Sequence, residues 1–277
     1  MSFKETLVEA GFSEDEAERL VNNHRFAQQN SNKSAEEIKK KIETIANIYL
    51  TTETAICKSA FSFPPFAGYD HHRVLQGIKD TYNCTAEQAS KAVLSHPSFA
   101  GYDHHRALQG IKDTYNCTAE QASKAVFSFP PFAGLDHHRV LQGIKDTYNC
   151  TAEQASKAVL SFPSFAGLDH HRVLRQLSRT GRIAGLNENE VIERILKNPV
   201  FAGYSAKRYL AAIDIGRELR KEGIPDVSIT RTWFSYLSKS PYVPDTKRLR
   251  IAQAAKQDIH GEPPLMTVMR KRLRAAN

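Results

Sequence analysis

An eight-residue string, Phe-Ala-Gly-x-Asp-His-His-Arg, occurs at Phe66–Arg73, Phe99–Arg106, Phe132–Arg139 and Phe165–Arg172, each copy 33 residues after the last. Behind it the segment LQGIKDTYNCTAEQASKAV is identical from Leu75, Leu108 and Leu141. Self-similarity at such a period belongs to chains that stack one supersecondary unit on the next. Degenerate copies flank the block. Upstream, Glu37–Tyr49 aligns with Asp70–Tyr82 at a shift of 33; downstream, Leu186–Leu210 aligns with Cys150–Leu174 at a shift of 36, and a last relic starts at Trp233. Within the block, Phe61 and Pro65 become Leu94 and Ser98, return as Phe127 and Pro131, and change again to Leu160 and Ser164. Two sites alternating together imply that a pair of units, 61–126, was duplicated to give 127–192.

One unit predicts two helices. Thr85 followed by Gln88 is a capping box that opens the first, helix A, and Ala86, Ala89, Ala92 and Val93 share one side of it. Pro97 ends that helix. Asp103 caps the second, helix B. In the preceding copy helix B is His71–Tyr82, with Val74, Leu75, Ile78 and Tyr82 as its apolar stripe and Asn83 as a C-terminal residue of positive φ. His71 falls on the apolar side. Such a pair cannot bury its apolar side alone and has to stack on its neighbours. The expected fold is therefore all-α, an α-solenoid (superhelix) of about six to seven two-helix repeats with a 33-residue period. Its expected divisions are degenerate capping repeats in 1–60, near-identical repeats in 61–192, and divergent repeats with a basic segment in 193–277. Gly77, Gly110 and Gly143 are expected at close helix contacts, because a mid-helix glycine costs about 1 kcal/mol relative to alanine.

The run Cys-Thr-Ala-Glu-Gln, an apolar stretch, Ser-His-Pro-Ser-Phe and a capped second helix resembles the repeat of mitochondrial transcription termination factors, over roughly Gly11 to Leu249. More distantly it is similar to the modular repeats of TAL effectors, which have a similar length and a Thr-x-Glu-Gln start. It departs from those in lacking Gly-Gly after helix A and in its longer turn. Both resemblances imply a solenoid that binds double-stranded nucleic acid.

The chain carries 38 Lys and Arg against 30 Asp and Glu, a formal charge of +8. The excess is uneven. Residues 1–60 hold 8 basic and 10 acidic residues, the units in 61–159 are neutral, and 193–277 hold 17 basic and 8 acidic residues. On helix B, at about 100° per residue, His72, Gln76 and Lys79 form a polar stripe with Arg73 beside it. Stacking aligns His72, His105, His138 and His171 in one row and Lys79, Lys112 and Lys145 in another. Rows near helix N-termini suit successive phosphates. The candidate nucleic-acid-binding residues are thus His72, Arg73, Gln76 and Lys79, with their equivalents His105, Arg106, Gln109, Lys112, His138, Arg139, Gln142, Lys145, His171, Arg172 and Arg175. Lys207, Arg208, Lys247, Arg248 and Arg250 join them from the C-terminal third. The alternative for these stripes is a solvated helix face. At the turn, Phe63, His96, Phe129 and Phe162 are equivalent, but phenylalanine has no hydrogen-bond code for base edges, and core packing explains the swaps as well.

Other chemistry is weaker. Asp-His-His can serve metals at a strand end with further carboxylates; here it opens an amphipathic helix and lacks the rest of the ligand set. Cys84, Cys117 and Cys150 read as buried small hydrophobes. No phosphate-cradling glycine loop or nucleophile constellation occurs. The expectation is a non-catalytic protein without cofactor or metal, a monomer whose partner is nucleic acid, duplex DNA before RNA. A protein-interaction scaffold is the other reading. No apolar stretch approaches the roughly 18–20 residues that span a bilayer. The opening MSFKETLVEAGFSEDEAERL lacks the apolar core of a secretory signal, and few cysteines suggest a reducing compartment. The chain is expected to be soluble and intracellular, with nucleus, organelle and bacterial cytoplasm all open.

Overall fold

A computed structural model of the chain describes residues 2–183 and 187–203. The elements in order are α1 (Phe3–Glu9), α2 (Glu14–Val21), α3 (His24–Asn30), α4 (Ala35–Tyr49), α5 (Glu53–Ser62), α6 (His71–Tyr82), α7 (Ala86–Ser95), α8 (His104–Tyr115), α9 (Ala119–Ser128), α10 (His137–Tyr148), α11 (Ala152–Ser161), α12 (His170–Ile183) and α13 (Glu188–Lys197). Short 3-10 turns follow the A-type helices at Pro64–Gly68, Pro97–Gly101, Pro130–Gly134, Pro163–Gly167 and Pro199–Gly203. The architecture is all-α, and no strand occurs among the described residues.

Local chemistry sets each boundary. Thr85, Thr118 and Thr151 close capping boxes with Gln88, Gln121 and Gln154, and Asn187 does the same with Glu190. Helix A ends two residues before proline. The pre-proline residues Phe63, His96, Phe129 and Phe162 take φ between −143° and −149° with ψ near 80°, because proline excludes the α region from the residue before it. The proline then starts the 3-10 turn, where its missing N–H costs nothing. Asp70, Asp103 and Asp169 cap helix B by accepting from the backbone N–H of Arg73, Arg106 and Arg172. Helix B ends on a left-handed residue, Asn83, Asn116 or Asn149, with φ of 49°, 48° and 45°. The 3-10 form of the proline turn goes beyond the sequence, which marks there only the end of helix A at Pro97 and the cap of helix B at Asp103.

The chain forms two compact units, 1–141 and 142–277, and the division falls within α10. In the first, the B-type helices α4, α6 and α8 pack side by side, α5 packs on α7, and the three proline turns pack in succession. In the second, α11 packs on α13, α13 on α12, and the turn Pro163–Gly167 on Pro199–Gly203. The core repeats with the sequence. Phe66, Phe99, Phe132 and Phe165 from the turns, Ile78, Ile111 and Ile144 from helix B, and Ala89, Val93, Ala122, Val126, Ala155 and Val159 from helix A are all fully buried. At the N-terminus, α2 is an A-type relic: Ser13 closes a capping box with Glu16, and Ala17 is buried where Ala89 lies in the full repeat. There α3 packs against the turn Pro64–Gly68, in the place a proline turn holds elsewhere.

The mid-helix glycines are not at close contacts. A Cβ built on Gly77, Gly110 or Gly143 meets nothing within 4 Å. The expectation failed because helix B approaches its neighbours through the Leu75–Ile78–Tyr82 side, and glycine at the next position faces away from it. The tight glycines are in the turns. A Cβ on Gly134 would lie 2.8 Å from the Tyr102 hydroxyl, and one on Gly101 would meet the Tyr69 hydroxyl.

Two stability predictions follow from these backbones. Gly110→Ala should raise stability by about 0.5–1 kcal/mol, since helix propensity improves and nothing has to move. Leu50 ends α4 with φ 52° and is 85% exposed, at the position where later repeats carry asparagine. Leu50→Asn should stabilise by about 1 kcal/mol, because a left-handed conformation costs a branched-chain residue roughly that much. Urea midpoints followed by circular dichroism check both; a lower midpoint for either variant contradicts the assignment.

Candidate nucleic-acid interface

The Asp-His-His-Arg string divides its residues between core and solvent. Asp70 caps. His71, one residue on, points inward. Its ring packs on Phe66 at 4.7 Å and edge-on to Tyr49 at 5.4 Å, and its Nδ1 shares a hydrogen bond of 3.0 Å with the Tyr49 hydroxyl. The same trio recurs as Tyr82–Phe99–His104, Tyr115–Phe132–His137 and Tyr148–Phe165–His170, with tyrosine-to-imidazole distances of 3.4, 3.3 and 3.3 Å. Each tyrosine comes from the end of one B-type helix and each histidine from the start of the next. The Nε2 atoms of all four histidines are buried without a hydrogen-bond partner. Burial above all lowers these four histidines from the ordinary 6.5 to about 4. For His71 the nearby Lys41 ammonium pushes the same way, while Asp70 opposes it.

The second histidine and the arginine face solvent. His72, His105, His138 and His171 are exposed, as are Arg73, Arg106, Arg139 and Arg172, and Gln76, Gln109 and Gln142. In the first unit, His105 Nε2 lies 3.4 Å from Thr81 Oγ1 and His138 Nε2 lies 3.5 Å from Thr114 Oγ1, so the outward histidines sit against the end of the preceding B-type helix. A groove there is lined by Arg106, Gly110, Thr114, Gly134, Asp136 and His138. Gly110 leaves its floor free of side chain, which is where the open space at the helix glycines occurs.

The lysine row is less free than the sequence suggested. Gln76 donates through Nε2 to Asp80 at 2.7 Å, and Lys79 Nζ donates to Gln76 Oε1 at 3.5 Å. Gln109 with Asp113 and Lys112, and Gln142 with Asp146 and Lys145, repeat the arrangement at 2.7 and 3.3 Å. Each lysine therefore stands beside a carboxylate bridged by an amide, a small dipole rather than a lone cation. Arg175 is exposed on α12. Sequence reasoning missed its neighbours Arg179 and Arg182, also exposed; the series Arg172, Arg175, Arg179 and Arg182, with successive members three or four residues apart, was the available signal. Lys207, Arg208, Lys247, Arg248 and Arg250 lie outside the described residues.

The variable turn residues pack rather than project as a reading surface. The Phe63 ring lies 6.3 Å from Tyr69, and His96 bonds Ser98 at 2.8 Å and Tyr102 at 3.3 Å. Tyr69 and Tyr102 then reach the glycine of the following turn. Swaps at these sites change the fit between consecutive turns. Cys84, Cys117 and Cys150 are half-buried, their thiols within 4.0 Å of the carbonyls of Ile78, Ile111 and Ile144. Burial raises all three thiols and pushes Cys57 up to about 11, away from reactive thiolates. Among the described residues no group of three or more His, Cys, Asp or Glu could hold a metal ion, and no helix is long and apolar enough to cross a membrane. No protein-family model matches the chain, and no curated protein matches it.

The inward histidines make stability pH-dependent. Between pH 6.5 and about 4 the unfolded chain binds protons that the folded chain does not, so stability is full above the unfolded value and is lost as pH falls toward 4. The thermal midpoint should drop across that window. The double variant His104→Phe/His137→Phe should show a shallower drop, measured by circular dichroism at fixed ionic strength; an unchanged slope would mean these imidazoles do not drive acid unfolding.

Proposed function

We propose that this chain is a non-catalytic nucleic-acid-binding repeat protein that contacts the phosphates of duplex DNA along the solvent face of its B-type helices. The observation that carries this reading is the division within the Asp-His-His-Arg string. Its Asp and first His are consumed by capping and core packing. Its second His and Arg face solvent in all four copies, with His105 and His138 also touching Thr81 and Thr114, and three of the copies add an exposed Gln; all lie beside helix N-termini where anions are favoured. The glycine-floored groove next to them admits a close approach of backbone. The resemblance to transcription termination factor repeats points the same way. Phosphate contacts position a protein on a duplex without reading its sequence, which agrees with near-identical polar faces from unit to unit.

The experiment is a gel-shift titration of the full chain with duplex DNA, duplex RNA and single strands over a range of salt. Binding should weaken steeply with salt, as counterion release requires. Lys79→Ala/Lys112→Ala/Lys145→Ala should weaken binding equally across sequences and reduce the slope of log K against log salt. Each lysine sits beside a carboxylate, so the loss per site should be below the roughly 0.9 of a full B-DNA phosphate contact. Salt-insensitive capture of a protein partner, with no nucleic-acid shift, would instead establish an interaction scaffold.

A further inference from the structure

Helix α12 keeps the B-type frame but replaces its polar face. At a shift of 33, Arg139 is matched by Arg172, Gln142 by Arg175, Lys145 by Ser178, Asp146 by Arg179 and the helix-ending Asn149 by Arg182. The amide, lysine and carboxylate of the earlier repeats thus give way to arginine, serine and arginine. With no asparagine to stop it, the helix runs on to Ile183. At 100° per residue, Arg172, Arg175, Arg179 and Arg182 fall within an arc of about 80° and along about 15 Å of helix. All four are exposed, and among the described residues none is in an ion pair. Apart from His171, they are the only exposed side chains described on this helix.

Such a stripe is unfavourable in the isolated chain. Like charges three and four residues apart repel along a helix, and the three successive pairs here are all arginine. Arg172 also stands in the first turn, where the helix dipole disfavours a cation. A bound polyanion removes that repulsion. Guanidinium forks pair with phosphate oxygens through two parallel hydrogen bonds. One strand of B-DNA presents a phosphate about every 3.4 Å of axis, so about four fall within the length of the stripe. A protein partner is disfavoured, because a protein interface needs apolar or aromatic anchors at its centre and none is exposed among the described side chains of α12.

We propose that the arginine stripe of α12 is the principal phosphodiester clamp of this protein, gripping successive phosphates of one strand of duplex DNA, while the near-neutral faces of the preceding repeats add little affinity. This rests on the nucleic-acid reading above and assigns its energetic centre.

The test is fluorescence anisotropy of the full chain with labelled duplex DNA, duplex RNA and single-stranded DNA over a salt series. Variants are the quadruple Arg172→Gln/Arg175→Gln/Arg179→Gln/Arg182→Gln, the matching quadruple to lysine, and the triple lysine-to-alanine change of the repeats. The glutamine variant should lose about 3.6 from the salt slope on duplex DNA, about 0.9 per arginine, with more than a tenfold loss of affinity at low salt. The lysine variant should keep most of the slope, and the triple variant should lose less than the glutamine variant. Added duplex should raise the thermal midpoint of the parent and leave that of the glutamine variant unmoved. If the quadruple variant loses helix by circular dichroism, the four single Arg→Gln changes decide, each lowering the slope by about 0.9. A folded glutamine variant with the parental slope overturns the clamp while leaving nucleic-acid binding intact. Arginine-dependent binding confined to the RNA probe overturns the assignment to DNA. A parent that binds none of the probes overturns both the clamp and the reading beneath it.

Discussion

The contact on which the stacking depends is the trio of tyrosine, phenylalanine and histidine shared between consecutive repeats. Tyr82 closes one B-type helix, Phe99 sits fully buried in the following turn, and His104 opens the next B-type helix. No single repeat contains all three in contact, so no repeat can complete its core alone. The histidine does what phenylalanine could not. It fills an aromatic site and also pairs the buried tyrosine hydroxyl, which would otherwise cost on the order of 1–3 kcal/mol as an unsatisfied group. The arrangement leaves Nε2 without a partner in each copy, and burial of the ring disfavours its charged form.

With the inward half of each repeat committed to packing, only the outward half is free to vary in charge. In α6, α8 and α10 that half is nearly self-neutralised, through the bridge from lysine to glutamine to aspartate. In α12 the same frame carries four arginines and no carboxylate. From α6 to α12, charge on the B-type helices therefore changes by a few substitutions on their outward side.

The proline turns give each repeat its second fixed contact. A residue held extended before proline ends helix A at the same place every time, and the 3-10 turn drops the phenylalanine into the core. Variation collects at the rims of these turns, where Tyr69 and Tyr102 lie against Gly101 and Gly134. The alternation of residues along the repeats is in this sense a matter of turn-to-turn fit.

Much of this was legible in the chain. Capping boxes, the asparagine stops, the inward face of His71 and the stacked helix-pair fold all follow from spacing, because caps and amphipathic periodicity act within one or two turns of helix. Outward exposure of His72, Arg73 and Gln76 followed from the same periodicity. Tertiary structure alone decided the rest. The bond between His71 and Tyr49 joins residues 22 apart, and the open space at Gly110 contradicts a rule of thumb about helix glycines. These depend on how one repeat seats against the next. Sequence spacing specifies which face of a helix is apolar, but the distance and rotation at which two such faces settle come from the packing of all their side chains at once.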